Sequence, residues 1–159
     1  MGLDMYLEAK KYISGWDHNK EGKEKNKRIR KMFPELNITG ETWGDNDNLG
    51  YIIISFEVGY WRKANAIHRW FVENVQDGRD DCKPCFVSRE QLTELKKICK
   101  EVLENKNKAP ELLPTQDGFF FGSVEYDEWY YKDIENTIRI IDKCLALPDD
   151  YYFEYLSSW

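Results

Sequence analysis

The strongest constraint on the fold is a change of hydrophobic period near Gly59. Before it, "YIIISFEV" repeats apolar side chains at every second position from Ile52 to Val58, which is the period of a β-strand. After it, apolar residues from Tyr60 to Val75 recur at helical spacing and form one arc of a cylinder. The pattern predicts a central strand that breaks at Gly59 and a helix that runs on to about Gln76.

The rest of the chain offers further strands and helices. Apolar and polar residues alternate from Leu3 to Ala9, which predicts a half-buried first strand. Ser88 followed by Gln91 is typical of a capping box at the start of a second helix. "YDEWYYKDIENTIRIIDKCLAL" has the apolar stripe of a third helix, and "GFFFGS" and "YYFEYLSSW" are rich in the aromatic residues that favour strands.

These elements predict an α+β fold, with a mainly antiparallel sheet covered by three helices. The 159 residues are 42% hydrophobic and 15% aromatic, enough to fill one core. We therefore expect a single domain over residues 1–159. A polar, glycine- and asparagine-rich stretch at about 14–50 predicts an insertion in that domain.

The charge of the chain is polarised. The net charge is −6, but the segment from His18 to Lys31 has seven Lys or Arg against two Glu, so it carries +5 and the remainder −11. Overall acidity makes nucleic-acid binding an unlikely role, because such binding depends on neutralising phosphates. We expect this basic segment to be a solvent-exposed insertion. The alternative is local DNA contact through Lys20 to Lys31.

Neither a membrane span nor a signal peptide is expected. No apolar run is long enough to cross a bilayer, and "MGLDMYL" lacks the basic and long apolar regions of a secretory leader. We therefore expect a cytoplasmic protein.

Cys82 and Cys85 form the one C-x-x-C pair of the sequence. Redox catalysis is disfavoured, since "FVS" separates the pair from the next possible helix start. A zinc site would need two more ligands, and the remaining cysteines and histidines are isolated. We expect reduced thiols and no metal or cofactor, with structural zinc left open as an alternative.

Polar and aromatic groups gather along one edge of the predicted helix after Gly59. We call them the helix-edge set: Trp61, Arg62, Asn65, His68 and Arg69. If they only serve the fold, the amide and imidazole satisfy buried backbone groups and the arginines pair with surface carboxylates. If they bind a ligand, the ring stacks, the amide and imidazole give directional hydrogen bonds, and an arginine grips phosphate or carboxylate. The second reading suits a nucleotide-like ligand or an acidic patch on a partner protein.

No familiar catalytic motif is present. Walker loop, Rossmann glycine pattern, nucleophile elbow and HExxH are all missing from the sequence, and His18 and His68 are its two histidines. The sequence therefore favours a binding protein over an enzyme. The alternative is a metal-dependent enzyme acting on a nucleotide or related phosphate compound, with His68 as the acid–base group.

The chain resembles a family of small bacteriophage and prophage proteins. The likeness rests on "MGLDMYL", "VGYWRKANAIHRWFV", "DDC", "LLPT", "GFFFGS" and "YDEWYY", and it is weakest over residues 14–50. It carries no established activity. It implies a role inside the host cell during infection, and small phage accessory proteins of this kind act by binding. The expectation is a module that sequesters or inhibits a host defence protein or a nucleotide signal.

Overall fold

Strands lie at both ends of the chain, with most of the helices between them. The computed structural model describes residues 2–36 and 49–159. Within this described part the elements are β1 Asp4–Ile13, α1 Lys20–Met32, β2 Ile52–Arg62, α2 Asn65–Asn74, β3 Cys85–Val87, α3 Arg89–Glu104, α4 Ala109–Leu112, α5 Glu128–Leu145 and β4 Tyr151–Ser158. Short 3-10 turns occupy Pro34–Leu36 and Lys106–Lys108.

The fold is α+β, as predicted. The four strands of the described residues form one antiparallel sheet in the order β2-β1-β4-β3. In the β3–β4 pair, Cys85 lies opposite Tyr155 and Val87 opposite Phe153. The predicted alternation of β1 is confirmed, since Met5, Leu7 and Ala9 are buried while their neighbours are partly exposed. The predicted central position of the Ile52–Val58 strand is wrong, because β2 lies at the edge of the sheet.

Helices α2, α3 and α5 provide the apolar cover of the sheet. The capping box of α3 is confirmed: Ser88 Oγ accepts from Gln91 N at 3.1 Å, and Gln91 Oε1 accepts from Ser88 N at 2.9 Å. Helix α3 packs mainly against α5, and α2 also contacts α5. Their buried side chains, such as Leu92, Leu95 and Ile134, each contribute roughly 1.5–3 kcal/mol through removal from water.

Gly59 does not break the strand that contains it. β2 runs through it to Arg62, and α2 begins only at Asn65. A Cβ atom at Gly59 would lie 2.6 Å from the Cγ2 of Ile140, so the glycine allows α5 to approach the strand closely. The predicted aromatic strand "GFFFGS" is also wrong. Its residues form a turn in which Phe121 N donates to Gly118 O at 3.1 Å.

The chain divides into two compact units, Met1–Ala9 with Phe56–Trp159, and Lys10–Ser55. The second unit contains α1 and the stretch predicted as a polar insertion. Asn26 is fully buried in this unit, and its side chain donates to the carbonyls of Ile13 and Gly50 and accepts from Arg30. None of the described helices is long and apolar enough to cross a membrane.

Candidate functional site

Trp61 lies at the end of β2 rather than on a helix, and its ring belongs to the core. The residue is 2% exposed, and its indole N–H donates to Thr137 Oγ1 at 2.8 Å. Its ring packs edge-on against Phe71. The predicted stacking face for a ligand is therefore enclosed by the protein.

Asn65 starts α2 and ties it to the segment 115–123. Its Nδ2 donates to the carbonyls of Phe121 and Ser123 at 3.0 and 2.8 Å, and its Oδ1 accepts from Gln116 N at 3.0 Å. The residue is 4% exposed. All three bonds join the side chain to backbone groups, so Asn65 fixes the position of that segment.

His68 is fully buried between two polar partners. Its Nδ1 lies 2.8 Å from the Tyr155 hydroxyl, and its Nε2 lies 2.9 Å from Asp80 Oδ2. Burial raises the pKa of Tyr155 well above 10, so its hydroxyl keeps its proton. The Asp80 carboxylate also accepts from the Trp159 indole at 3.1 Å. Both imidazole nitrogens are thus occupied within the fold.

The two arginines of the helix-edge set have separate surroundings. Arg69 pairs with Glu73 one turn along α2, with Nε and Oε1 2.7 Å apart. Arg62 is exposed. The hypothesis that the helix-edge set binds a ligand as a group is therefore not supported for Trp61, Asn65 and His68, because partners distant in sequence enclose them. Arg62 remains available to a ligand.

Arg62 opens onto a cavity of about 290 Å³ beside the start of α2, which we call the α2 cavity. Two cations, three carboxylates, two large rings, and small polar and aliphatic groups line it: Arg62, Lys63, Ala64, Asn65, Ala66, Ile67, Thr115, Gly122, Ser123, Glu125, Asp127, Trp129, Tyr130, Asp133 and Ile134. Its volume lies at the lower end of the ~300–1,000 Å³ typical of small-molecule sites.

One side of the α2 cavity favours an anion. Among the described residues no side chain caps α2, so the N–H groups of Ala66 and Ile67 in its first turn have no side-chain acceptor there. α1, α3 and α5 differ in this respect, because Asn19, Ser88 and Asp127 cap them. The helix dipole adds positive potential at the uncapped end.

Lys63 also lines the cavity, and its backbone is unusual. Its φ is 58°, a left-handed conformation that is costly for a residue with a Cβ atom. Its N–H donates to Leu3 O at 2.8 Å. A Cβ atom at Gly122 would come within 3.1 Å of Lys63 Cβ, so that glycine allows the lysine to lie over the turn. Within the described residues, neither Arg62 nor Lys63 has an ion-pair partner.

Another side of the α2 cavity carries the half-buried carboxylate of Asp133 on α5. Burial, with a smaller contribution from Asp127, raises the pKa of the Asp133 carboxyl from 3.8 to about 6. Its carboxylate has no hydrogen bond or ion pair with any described residue. A desolvated and unpaired carboxylate lowers stability, and such groups concentrate at functional sites.

Segments far apart in the sequence meet around the α2 cavity. "VGYWRKANAIHRWFV" contributes Arg62 and Lys63, "LLPT" contributes Thr115, "GFFFGS" contributes Ser123, and "YDEWYY" contributes Trp129. The "MGLDMYL" segment joins them through its backbone, since Leu3 N donates to Phe120 O at 3.0 Å. Four of these segments therefore line the cavity, and the fifth is bonded to one of them.

A larger groove of about 700 Å³ follows the outer surface of α3, but its lining is different. It is formed by one short stretch of chain, mainly lysines and glutamates between Thr93 and Lys108. None of the aromatic residues in the described part of the chain lines it. We regard the α2 cavity as the better candidate because its lining groups come from several elements.

The cysteines do not extend the site. Cys82 and Cys85 are free thiols, and Cys85 Sγ lies 3.2 Å from Val75 O. Burial raises the pKa of Cys85, and nearby carboxylates raise it further. In residues 2–36 and 49–159, no group of three or more His, Cys, Asp or Glu side chains could hold a metal ion.

Comparisons with family models, with curated proteins and with solved structures found no match for this chain.

Proposed function

We propose that the protein acts by binding a small ligand with an anionic group in the α2 cavity. The observation that carries this proposal is the uncapped start of α2 beside two unpaired cations, Arg62 and Lys63. Backbone N–H groups and a positive helix end already favour phosphate or carboxylate. A guanidinium fork and an ammonium group add charge-assisted hydrogen bonds.

The resemblance to phage proteins suggests the setting of this binding. We propose a phage-encoded accessory protein of the host cytoplasm that sequesters or inhibits a host target, either a defence protein or a nucleotide signal. A nucleotide signal suits the α2 cavity better than a protein surface does, because the cavity is concave and small.

The enzyme alternative has less support. Its proposed acid–base residue, His68, has both ring nitrogens partnered inside the core. An acid–base group must come within hydrogen-bond reach of a substrate. A metal-dependent reaction in the α2 cavity would have to use other groups, such as Asp133.

Isothermal titration calorimetry of the purified chain with inorganic phosphate, pyrophosphate and a panel of mononucleotides tests the proposal. We expect at least one of these anions to bind, and Arg62→Ala to weaken that binding at least tenfold, since one charge-assisted hydrogen bond contributes ~1.5–3 kcal/mol. Arg69→Ala is the matched control, because Arg69 is paired with Glu73 and does not line the cavity.

If Arg62→Ala and Arg69→Ala weakened anion binding equally, the binding site would be the helix-edge set and not the α2 cavity. No binding of any anion by the wild-type chain would overturn the proposal. Native mass spectrometry of the protein purified from infected cells gives an independent check, because a co-purifying small molecule would be weighed directly.

A further inference from the structure

Asp133 faces the same cavity as the anion-binding groups, although it repels anions. Strand β2 and helix α5 run side by side: Gly59 lies against Ile140, and the Trp61 indole bonds to Thr137. One further turn toward the start of α5 is Asp133, and the next residue of β2 is Arg62. Of the three carboxylates that line the cavity, Asp127 caps α5 and Glu125 is exposed to solvent. A ligand that fills the cavity must therefore satisfy the Asp133 carboxylate as well as two cations.

A carboxylate without a partner needs hydrogen-bond donors from the ligand. Its two oxygens accept two parallel N–H groups in a bidentate arrangement. The ligand should thus have an anionic group for Arg62 and Lys63, and a pair of adjacent N–H donors for Asp133.

Trp129 supplies an aromatic surface at the same cavity. The residue is 70% exposed although tryptophan is usually well covered, and it lines the cavity. The Lys132 ammonium lies 4.5 Å from its ring centroid. Exposed rings beside cationic groups are the usual platforms for stacking a nucleobase.

We propose that the ligand is a guanine nucleotide, with its base stacked on Trp129 and its N1–H and N2–H groups donated to the Asp133 carboxylate. Its phosphate then binds Arg62, Lys63 and the first-turn N–H groups of α2. This inference rests on the proposed function and adds the identity of the base. The cavity volume of about 290 Å³ favours a mononucleotide over a dinucleotide.

The chemistry of the bases singles out guanine. Adenine and cytosine each place a ring-nitrogen acceptor beside their amino group, so a carboxylate facing that edge meets one donor and one lone pair. Uracil has a single N–H between two carbonyl oxygens. Guanine presents two adjacent donors, which match the two oxygens of a carboxylate.

The first experiment compares GMP, IMP and AMP by calorimetry on the full chain at pH 7.5. IMP lacks the N2 amino group, and AMP replaces N1–H with an acceptor. We expect GMP to bind at least tenfold more tightly than IMP, and AMP to be the weakest of the three. Inorganic phosphate serves as the probe for anion binding without a base.

The second experiment tests whether a substitution of Asp133 changes the base preference from guanine to xanthine. Asparagine at position 133 offers one acceptor and one donor, which complement the N1–H and C2 carbonyl of xanthine. We expect Asp133→Asn to weaken GMP binding at least tenfold and to strengthen XMP binding relative to the wild type. Glu135→Gln, an exposed carboxylate on the same helix, is the matched control and should change neither affinity.

If Asp133 had only a structural role, Asp133→Asn would not shift the binding preference from GMP to XMP.

Trp129→Ala removes an exposed ring without opening the core. We expect it to weaken GMP binding about tenfold, given stacking of ~1–3 kcal/mol per base. Equal, Arg62-dependent affinities for GMP, IMP and AMP would overturn the guanine assignment and leave the anion site standing. Failure of every anion, phosphate included, would remove both proposals.

Discussion

Replacing Asp133 by asparagine should make the protein more stable at neutral pH. The carboxyl has a pKa of about 6 in the folded chain against 3.8 when exposed. A difference of about two units corresponds to ~3 kcal/mol at ~1.36 kcal/mol per unit. Because the side chain is only half-buried, solvent screening reduces this to roughly 1–2 kcal/mol. For a chain of this size, that gain raises the melting temperature by roughly 3–7 °C.

The pH dependence of this gain has a definite sign. Between about pH 4 and pH 6 the folded wild type binds more protons at Asp133 than the unfolded chain does, so its stability falls as pH rises. Asparagine does not titrate. The advantage of Asp133→Asn should therefore be absent near pH 3.8, grow through pH 6 and stay constant above it.

Thermal unfolding followed by circular dichroism at pH 4.0, 5.0, 6.0 and 7.5 measures the difference between variant and wild type. Groups common to both proteins cancel in that difference. Glu135→Gln controls for loss of an exposed charge on α5 and should stay within ~0.5 kcal/mol of the wild type. Equal melting temperatures at pH 7.5, or an advantage larger at pH 4.0 than at pH 7.5, would refute the reasoning.

Three further predictions concern the buried polar groups. His68→Ala should lower the free energy of unfolding by about 3 kcal/mol in urea titrations, because it removes a hydrogen-bond partner from both Asp80 and Tyr155 and opens a cavity in the core. Asn65→Ala should cost about 2–3 kcal/mol by the same measurement, since three backbone groups of residues 116–123 lose their partner. Cys85 should react with iodoacetamide more slowly than free cysteine at pH 7.5, as its raised pKa keeps it protonated, and peptide mass spectrometry measures that rate.

The sequence correctly predicted those structural elements that depend on residues close together in the chain. The alternation of β1 and the capping box of Ser88 and Gln91 depend on residues a few positions apart. The prediction that Gly59 breaks the strand was wrong. A glycine is present there because the side chain of Ile140, 81 positions along the chain, packs closely against it. The aromatic run at Phe119 to Phe121 has strand propensity, but its backbone bonds to Leu3 and within its own turn instead.

The site was only partly predictable for the same reason. Arg62 was identified, whereas Lys63 was left out of the helix-edge set. The predicted helix included both residues, but α2 starts only at Asn65. The burial of His68 depends on Tyr155, 87 positions on, and no periodicity reveals that contact. Asp133 was not among the predicted site residues, because its burial depends on tertiary packing.

The α2 cavity is lined by residues from two separate stretches of the chain, 62–67 and 115–134. A fragment that lacks either stretch therefore lacks part of the cavity wall, and the proposed ligand should bind only the completely folded unit. Any true ligand must in turn reinforce that whole unit: at a concentration of 100 Kd it adds ~2.7 kcal/mol, or roughly 5–10 °C in melting temperature. A thermal-shift screen of metabolite mixtures can thus search for the natural ligand without an activity assay.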